Sequence, residues 1–268
     1  NYLGFPGTMA CDYIDYIIAD ETLIRPGEHV HYSEKVVLLP DCYQVNDDTK
    51  RIAPTLPDRQ ALGLPREGFV FCCFNNNYKI TPDAFDIWMR LLHRVPGSVL
   101  WLYRGDDAAA EQLQAHARSR GVDAARIVWA RHLELAEHLA RHAHAGLFLD
   151  TFNYNAHTTS SDALWAGLPV LTLEGSTFAS RVGASLLKAI GMPELICSSA
   201  AEYEEMAYAI ATSPQRAAEL KQRLAEHRTR FALFDTARFT RRLEAAFETM
   251  CLRHRQGLAP DHFRVART

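Results

Sequence analysis

The sequence predicts an α/β fold, a Rossmann-like parallel sheet flanked by helices, and three observations carry that prediction. From Gly68 onward, apolar runs of strand length alternate with amphipathic segments. The segment after Thr81-Pro82 sets Phe85, Trp88, Met89 and Leu92 at helical spacing, with Thr81 a candidate N-cap and Pro82 at the first helical position. The alternation continues after each run, and strands separated by helices imply right-handed crossovers and a buried parallel sheet.

The elements follow in order. Short strands are expected at 13–18 and 35–39, divided by an acidic connector containing Pro and Gly, and 47–58 is polar and proline-punctuated like a linker. Buried strands are expected at 69–74, 98–103, 126–129, 146–149 and 169–173. After Thr212-Ser213-Pro214 the chain reads as helical, over 215–230 and then 236–255. The bases on those two helices, Arg216, Lys221, Arg223, Arg228, Arg230, Arg241, Arg242 and Arg253, read as a solvated face. The expected division is 1–58, 59–212 for the Rossmann-like unit, and 213–268 for the terminal helices.

With 268 residues, 48% hydrophobic and 23% charged, the composition is that of a globular protein. A net charge of −3 gives no general attraction to nucleic acid or anionic membrane, and neither is expected as a partner. No apolar run approaches the roughly 18 residues a spanning helix needs. The start at Asn1 has no signal-peptide pattern, which reads as a fragment or processed product. Cysteines 11, 42, 72, 73, 197 and 251 show no metal-binding spacing, and adjacent Cys72 and Cys73 point to opposite faces of a strand; they read as reduced thiols of a cytoplasmic protein.

Ligands of open parallel sheets bind beyond the carboxyl ends of the strands, and three such places stand out. Asn75-Asn76-Asn77-Tyr78-Lys79 puts an ammonium and three amides beside a helix N-terminus, an anion receptor in the making. In the segment 150–162, Thr158, Thr159 and Ser160 offer hydroxyl and N–H donors to a phosphate, and Asp162 an acceptor for a ribose diol; plain N-capping by one threonine is the alternative. In 129–141, His138 and Arg141 are i, i+3 neighbours with His142 on the same side. HEXXH and DXD-like clusters are absent, so no metal is expected.

These residues resemble the protein O-linked N-acetylglucosamine transferases, glycosyltransferases of the GT-B class. The motifs are Gly4-Phe-Pro-Gly-Thr8, Asp12-Tyr-Ile-Asp-Tyr-Ile-Ile-Ala-Asp20, Phe74-Asn-Asn-Asn-Tyr-Lys-Ile80, Val95-Pro-Gly-Ser-Val-Leu-Trp-Leu102, His157-Thr-Thr159 with Asp162-Ala-Leu-Trp-Ala-Gly167, and Ala179-Ser-Arg-Val-Gly-Ala-Ser185. The resemblance implies a bacterial member. This chain would then be the donor-binding lobe, the end of the acceptor lobe, and terminal helices that cross back. It implies further that Lys79 meets the diphosphate of UDP-N-acetylglucosamine, Thr158 and Thr159 its phosphates, Asp162 its ribose, and His138 and Arg141 its uridine. His157 would lie on the sugar side and Tyr78 near the reacting centre, while Gly4 and Pro6 would belong to a loop of the other lobe. Asn76 stands where animal members have Gln, and Leu135 where they have a basic residue near the nucleoside.

The implied reaction is an inverting transfer to Ser or Thr hydroxyls of proteins, with no cofactor besides the donor. Its partners are a protein or peptide acceptor and the rest of the same polypeptide, the acceptor lobe and possible tetratricopeptide repeats. Two rivals are protein O-fucosylation from GDP-fucose and a non-catalytic nucleotide-sugar-binding module.

Overall fold

The computed structural model describes residues 1–267. Strand β1 (Tyr16–Asp20) runs parallel to β2 (Lys35–Leu39), with Tyr16 beside Lys35 and Asp20 beside Leu39. β1 lies further along the chain than the expected 13–18 because its ladder with β2 starts only where Tyr16 comes beside Lys35, and the Ile18 N–H on its other edge donates to the Asn1 carbonyl. A polar linker leads into β3 (Val70–Cys73), α1 (Pro82–Arg94), β4 (Val99–Tyr103), α2 (Asp107–Ser119) and β5 (Ile127–Ala130). The chain then makes α3 (Leu135–Arg141), β6 (Leu147–Leu149), α4 (Thr158–Trp165), β7 (Val170–Leu173), α5 (Val182–Ala189) and β8 (Ile196–Cys197). Helices α6 (Ala200–Ala211), α7 (Pro214–His227) and α8 (Thr236–Arg255) follow, and a short β9 (Phe263–Arg264) closes the chain on β2.

The main sheet is all parallel with order β5-β4-β3-β6-β7-β8. Its strands are buried on both faces because helices cover both, so their sequences read as continuous apolar runs. α1 buries Phe85, Trp88, Met89 and Leu92 as the spacing predicts. Thr81 takes the N-cap position before Pro82, yet its hydroxyl makes no capping bond. The chain builds β3, β4 and β5 outward in one direction and then returns to lay β6 against β3. The order reverses there, and the β3 and β6 loops diverge to leave a crevice.

The terminal helices differ from expectation. α7 ends at His227, and most of its bases are tied down rather than solvated. Lys221 donates to the Ala145 carbonyl and Arg228 to that of Trp165; Arg223 pairs with Glu194, Arg216 reaches the Met206 sulfur, and Arg253 bonds the Ala259 carbonyl. On α8, Arg242 is buried against Asp41. Long stems let these heads reach acceptors at loop ends while their methylenes cover apolar surface; Arg223, Arg230 and Arg241 stay exposed. α8 lies on β2, sharing a small core of Ile18, Val37, Leu39 and Ala246. All six cysteines are free. Among the described residues, no helix is long and apolar enough to cross a membrane, and no group of three or more His, Cys, Asp or Glu is placed to hold a metal ion.

Candidate functional site

The crevice is built on a buried polar network. Asn75, 1% exposed at the end of β3, donates to the Thr151 hydroxyl at 2.8 Å and to Asp150 at 3.4 Å, and its carbonyl accepts the Thr159 hydroxyl. One amide thus joins the β3 loop, the β6 loop and the first turn of α4. Asn155 joins two more pieces, donating to the Thr151 carbonyl and accepting from the Gly183 N–H of α5. Each member is satisfied by another, so the loops are held without ligand.

Lys79 lies on this platform. A short 3-10 turn, Asn77–Lys79, carries it in, and its ammonium donates to the Asn155 carbonyl at 3.1 Å while sitting 3.9 Å from the Tyr154 ring centroid. Burial pushes its pKa down. A cation held by one carbonyl and a ring face is under-neutralised and attracts an anion. Tyr78, beside it, is 78% exposed and lines the rim of a separate groove between α1 and α2.

His157 takes the N-cap position of α4 with no side-chain capping bond, so plain capping by a threonine, the alternative to a phosphate-binding role, is not what the structure has: Thr158 and Thr159 begin the helix itself. The N–H groups of its first turn have no intrahelical partners and point out of the helix end. Thr158 is exposed, Thr159 half-buried, and Ser160 buried with no partner for its hydroxyl. The His157 ring stacks on Tyr154 at 5.0 Å, and its Nε2 is buried without a partner. Burial first, and the Lys79 charge second, push it down to about 4, so the ring is neutral at pH 7. Its outer side faces a narrow gap lined by Gly4 and Pro6, which the structure therefore brings to the site.

A cavity of about 320 Å³ opens beside this helix end, with Phe74, Asn76, Leu135, His138, Arg141 and Thr159 among its lining. His138 accepts a bond from the Arg141 guanidinium at Nδ1. A guanidinium has no lone pair to give, so the imidazole proton sits on Nε2, and burial holds the pKa at about 3. Arg141 is 1% exposed and committed: it also donates to the Arg131 carbonyl at 2.6 Å and lies over Phe74. It orients His138 and the 131–134 loop while itself lining the cavity. Asp162 is also engaged, its carboxylate meeting the Lys50 ammonium at 2.6 Å, so a ribose would have to share it. Sequence reasoning missed Lys50, Tyr154, Asn155 and Asp150. Asp150 directly follows an apolar run and was open to discovery by position; nothing local marks Lys50.

Residues 52–243 match the model of Glycosyl transferase family 41. The chain belongs to that family. Among family 41 relatives, it is 39% identical over 99% of its length to a probable UDP-N-acetylglucosamine--peptide N-acetylglucosaminyltransferase of Arabidopsis thaliana, spanning 28% of that protein. It is 36% identical over 77% of its length to the Caenorhabditis elegans UDP-N-acetylglucosamine--peptide N-acetylglucosaminyltransferase, spanning 18% of it. Among solved structures, an O-GlcNAc transferase mutant of Thermobaculum terrenum superposes with a TM-score of 0.81 at 31% identity, over 93% of this chain and 47% of that one. This family 41 chain therefore has the GT-B fold expected from its motifs and corresponds to less than half of each of these proteins.

Proposed function

We propose that this chain is the donor-binding part of an inverting glycosyltransferase that moves N-acetylglucosamine from UDP-GlcNAc to Ser or Thr hydroxyls of proteins. One observation carries the reading: Thr159 lines the nucleoside-sized cavity and also stands in the first turn of α4, so a nucleoside in the cavity directs its phosphates to the helix end and toward Lys79. In this reading residues 59–212 hold the donor, 1–58 end the acceptor lobe, and the terminal helices return to it. The remainder of the polypeptide, with the acceptor lobe and any tetratricopeptide repeats, presents the protein substrate. A cytoplasmic bacterial protein fits the compact spacing between motifs and the free cysteines.

The acceptor hydroxyl attacks the anomeric carbon opposite the leaving group and its proton passes to water, while the bond to the phosphate oxygen breaks and its electrons stay with UDP. The growing charge is met by the Lys79 ammonium and the N–H groups at Thr158 and Thr159, fixed before reaction by the Asn75 network. No metal or cofactor is needed in this scheme, since Lys79 and the helix end do the cation's work. Neutral His157 faces the sugar side beside Gly4 and Pro6, while Tyr78, next to Lys79 in the chain, stands exposed at the groove between α1 and α2. His138 offers Nε2–H to the nucleobase and Asn76 its amide to the phosphate side.

Calorimetric titration of this chain with UDP and GDP tests the donor, and transfer to peptides by the full polypeptide tests the reaction. Selective UDP binding with transfer supports the reading. A preference for GDP reassigns the chain to fucosyl transfer, binding without transfer to a sensor, and binding of neither nucleotide refutes it.

A further inference from the structure

Asp150 is fully buried at the carboxyl end of β6, beneath the loops that carry Lys79 and His157. Its Oδ1 accepts from the Thr151 N–H at 2.8 Å, the Ala156 N–H at 2.6 Å and the Asn75 amide at 3.4 Å. Its Oδ2 accepts from the Thr172 hydroxyl at 2.7 Å. α5 closes over the same oxygen, since a Cβ at Gly183 would fall 2.6 Å from Oδ2. Every direct partner is neutral, and the Lys79 ammonium donates to the Asn155 carbonyl instead. A buried carboxylate with no ion-pair partner thus underlies the place proposed for the donor's diphosphate.

We propose that Asp150 takes up a proton at Oδ2 when a nucleotide diphosphate seats on the loops above it, an inference that rests on the donor reading. The balance is simple: one proton comes from solvent, one O–H bond forms on the carboxylate, and nothing else is made or broken. Oδ2 is the oxygen that can accept it. The three groups on Oδ1 are N–H donors and cannot reverse, whereas the Thr172 hydroxyl can turn from donor to acceptor.

The surroundings set the pH range. Cys73 from β3 and Tyr203 from α6 are buried and pushed upward, and His157 is pushed down to about 4, so all three are neutral at pH 7. Asp150 and Lys79 are then the charges that face each other. Burial pushes Asp150 up to about 7, while its N–H and hydroxyl partners, and more weakly Lys79, hold it down. An arriving diphosphate adds negative charge nearby and neutralises Lys79, and both effects drive the carboxyl further up. The bound state then holds more protons than the free state, so affinity weakens as pH rises through 7.

The test is calorimetric titration of this chain with UDP-GlcNAc, whose diphosphate does not ionise near neutrality, in buffers of different ionisation enthalpy at pH 7. The parent chain should take up about half a proton more per site than Asp150→Asn, and its affinity should fall by up to about tenfold per pH unit above neutrality while the variant's stays flatter. Asparagine mimics the protonated acid, its amide nitrogen donating to Thr172. Thr172→Val deletes the one hydroxyl donor and should move the uptake to higher pH, which keeps the inference testable if Asp150→Asn does not fold. Equal proton counts in parent and Asp150→Asn, or an unmoved window in Thr172→Val, overturn the inference and leave the donor reading intact. No binding of UDP-GlcNAc or UDP by the parent overturns the donor reading, and this inference with it.

Discussion

Replacing Lys79 by methionine keeps the stem and removes the charge from the centre of the site. The ammonium now rests 3.1 Å from the Asn155 carbonyl and 3.9 Å from the Tyr154 ring centroid. Against a phosphate at about 4 Å, with an effective dielectric of about 20, its attraction is worth about 4 kcal/mol. Releasing the carbonyl bond and loosening the cation–π contact costs about 2 kcal/mol of that. The remaining 2 kcal/mol or so corresponds to a loss of about 30-fold in UDP affinity. In transfer the leaving group gains charge as the bond breaks, so the rate should fall further, by about 10² to 10³. Titration with UDP at low and high salt is the assay: the parent should weaken with salt more steeply than Lys79→Met. Affinity within threefold of the parent, in a variant with an unchanged melting transition, would refute the placement of the diphosphate at Lys79.

Other predictions concern the frame around the site. Arg181, buried on the β7–α5 connection, grips Glu28 through both guanidinium nitrogens and holds that carboxyl at about 2, below its usual 4.5. A depressed acid stabilises the fold above its unfolded pKa and loses that contribution as pH falls, so the melting-temperature gap between parent and Glu28→Gln should be full at pH 7 and shrink from about pH 4.5 toward 2. Gly183→Ala drives a methyl to within 2.4 Å of the Thr172 hydroxyl and against Asp150; overpacking of that kind costs about 1 to 3 kcal/mol and should appear as a lower denaturation midpoint, with an unchanged midpoint contradicting the packing. Chelation with EDTA should leave transfer by the full polypeptide unchanged, and loss of activity restored by a divalent ion would overturn the charge-neutralising role given to Lys79 and the α4 end.

What the sequence by itself determined is everything whose cause is local. The strands of the main sheet are legible because burial on both faces makes each an unbroken apolar run, and α1 because its apolar residues recur along one face. The loops at 75–79 and 150–162 are legible because the ends of parallel strands are where ligands bind, and the polar residues there stand next to the runs themselves. Tertiary structure alone decided what these groups are free to do. Arg141 and Asp162 stand in their motifs as polar candidates, and only the fold pairs one with His138 and the Arg131 carbonyl and the other with Lys50, 112 positions away in the chain. The bases of the last helices look solvated until carbonyls from distant loops are brought to them, and the pairing of β9 with β2 joins residues 226 positions apart. Asp150 shows the difference most sharply: burial away from water pushes its carboxyl up to about 7, against the pull of neutral donors from three segments, and that enclosure exists only after the sheet has closed.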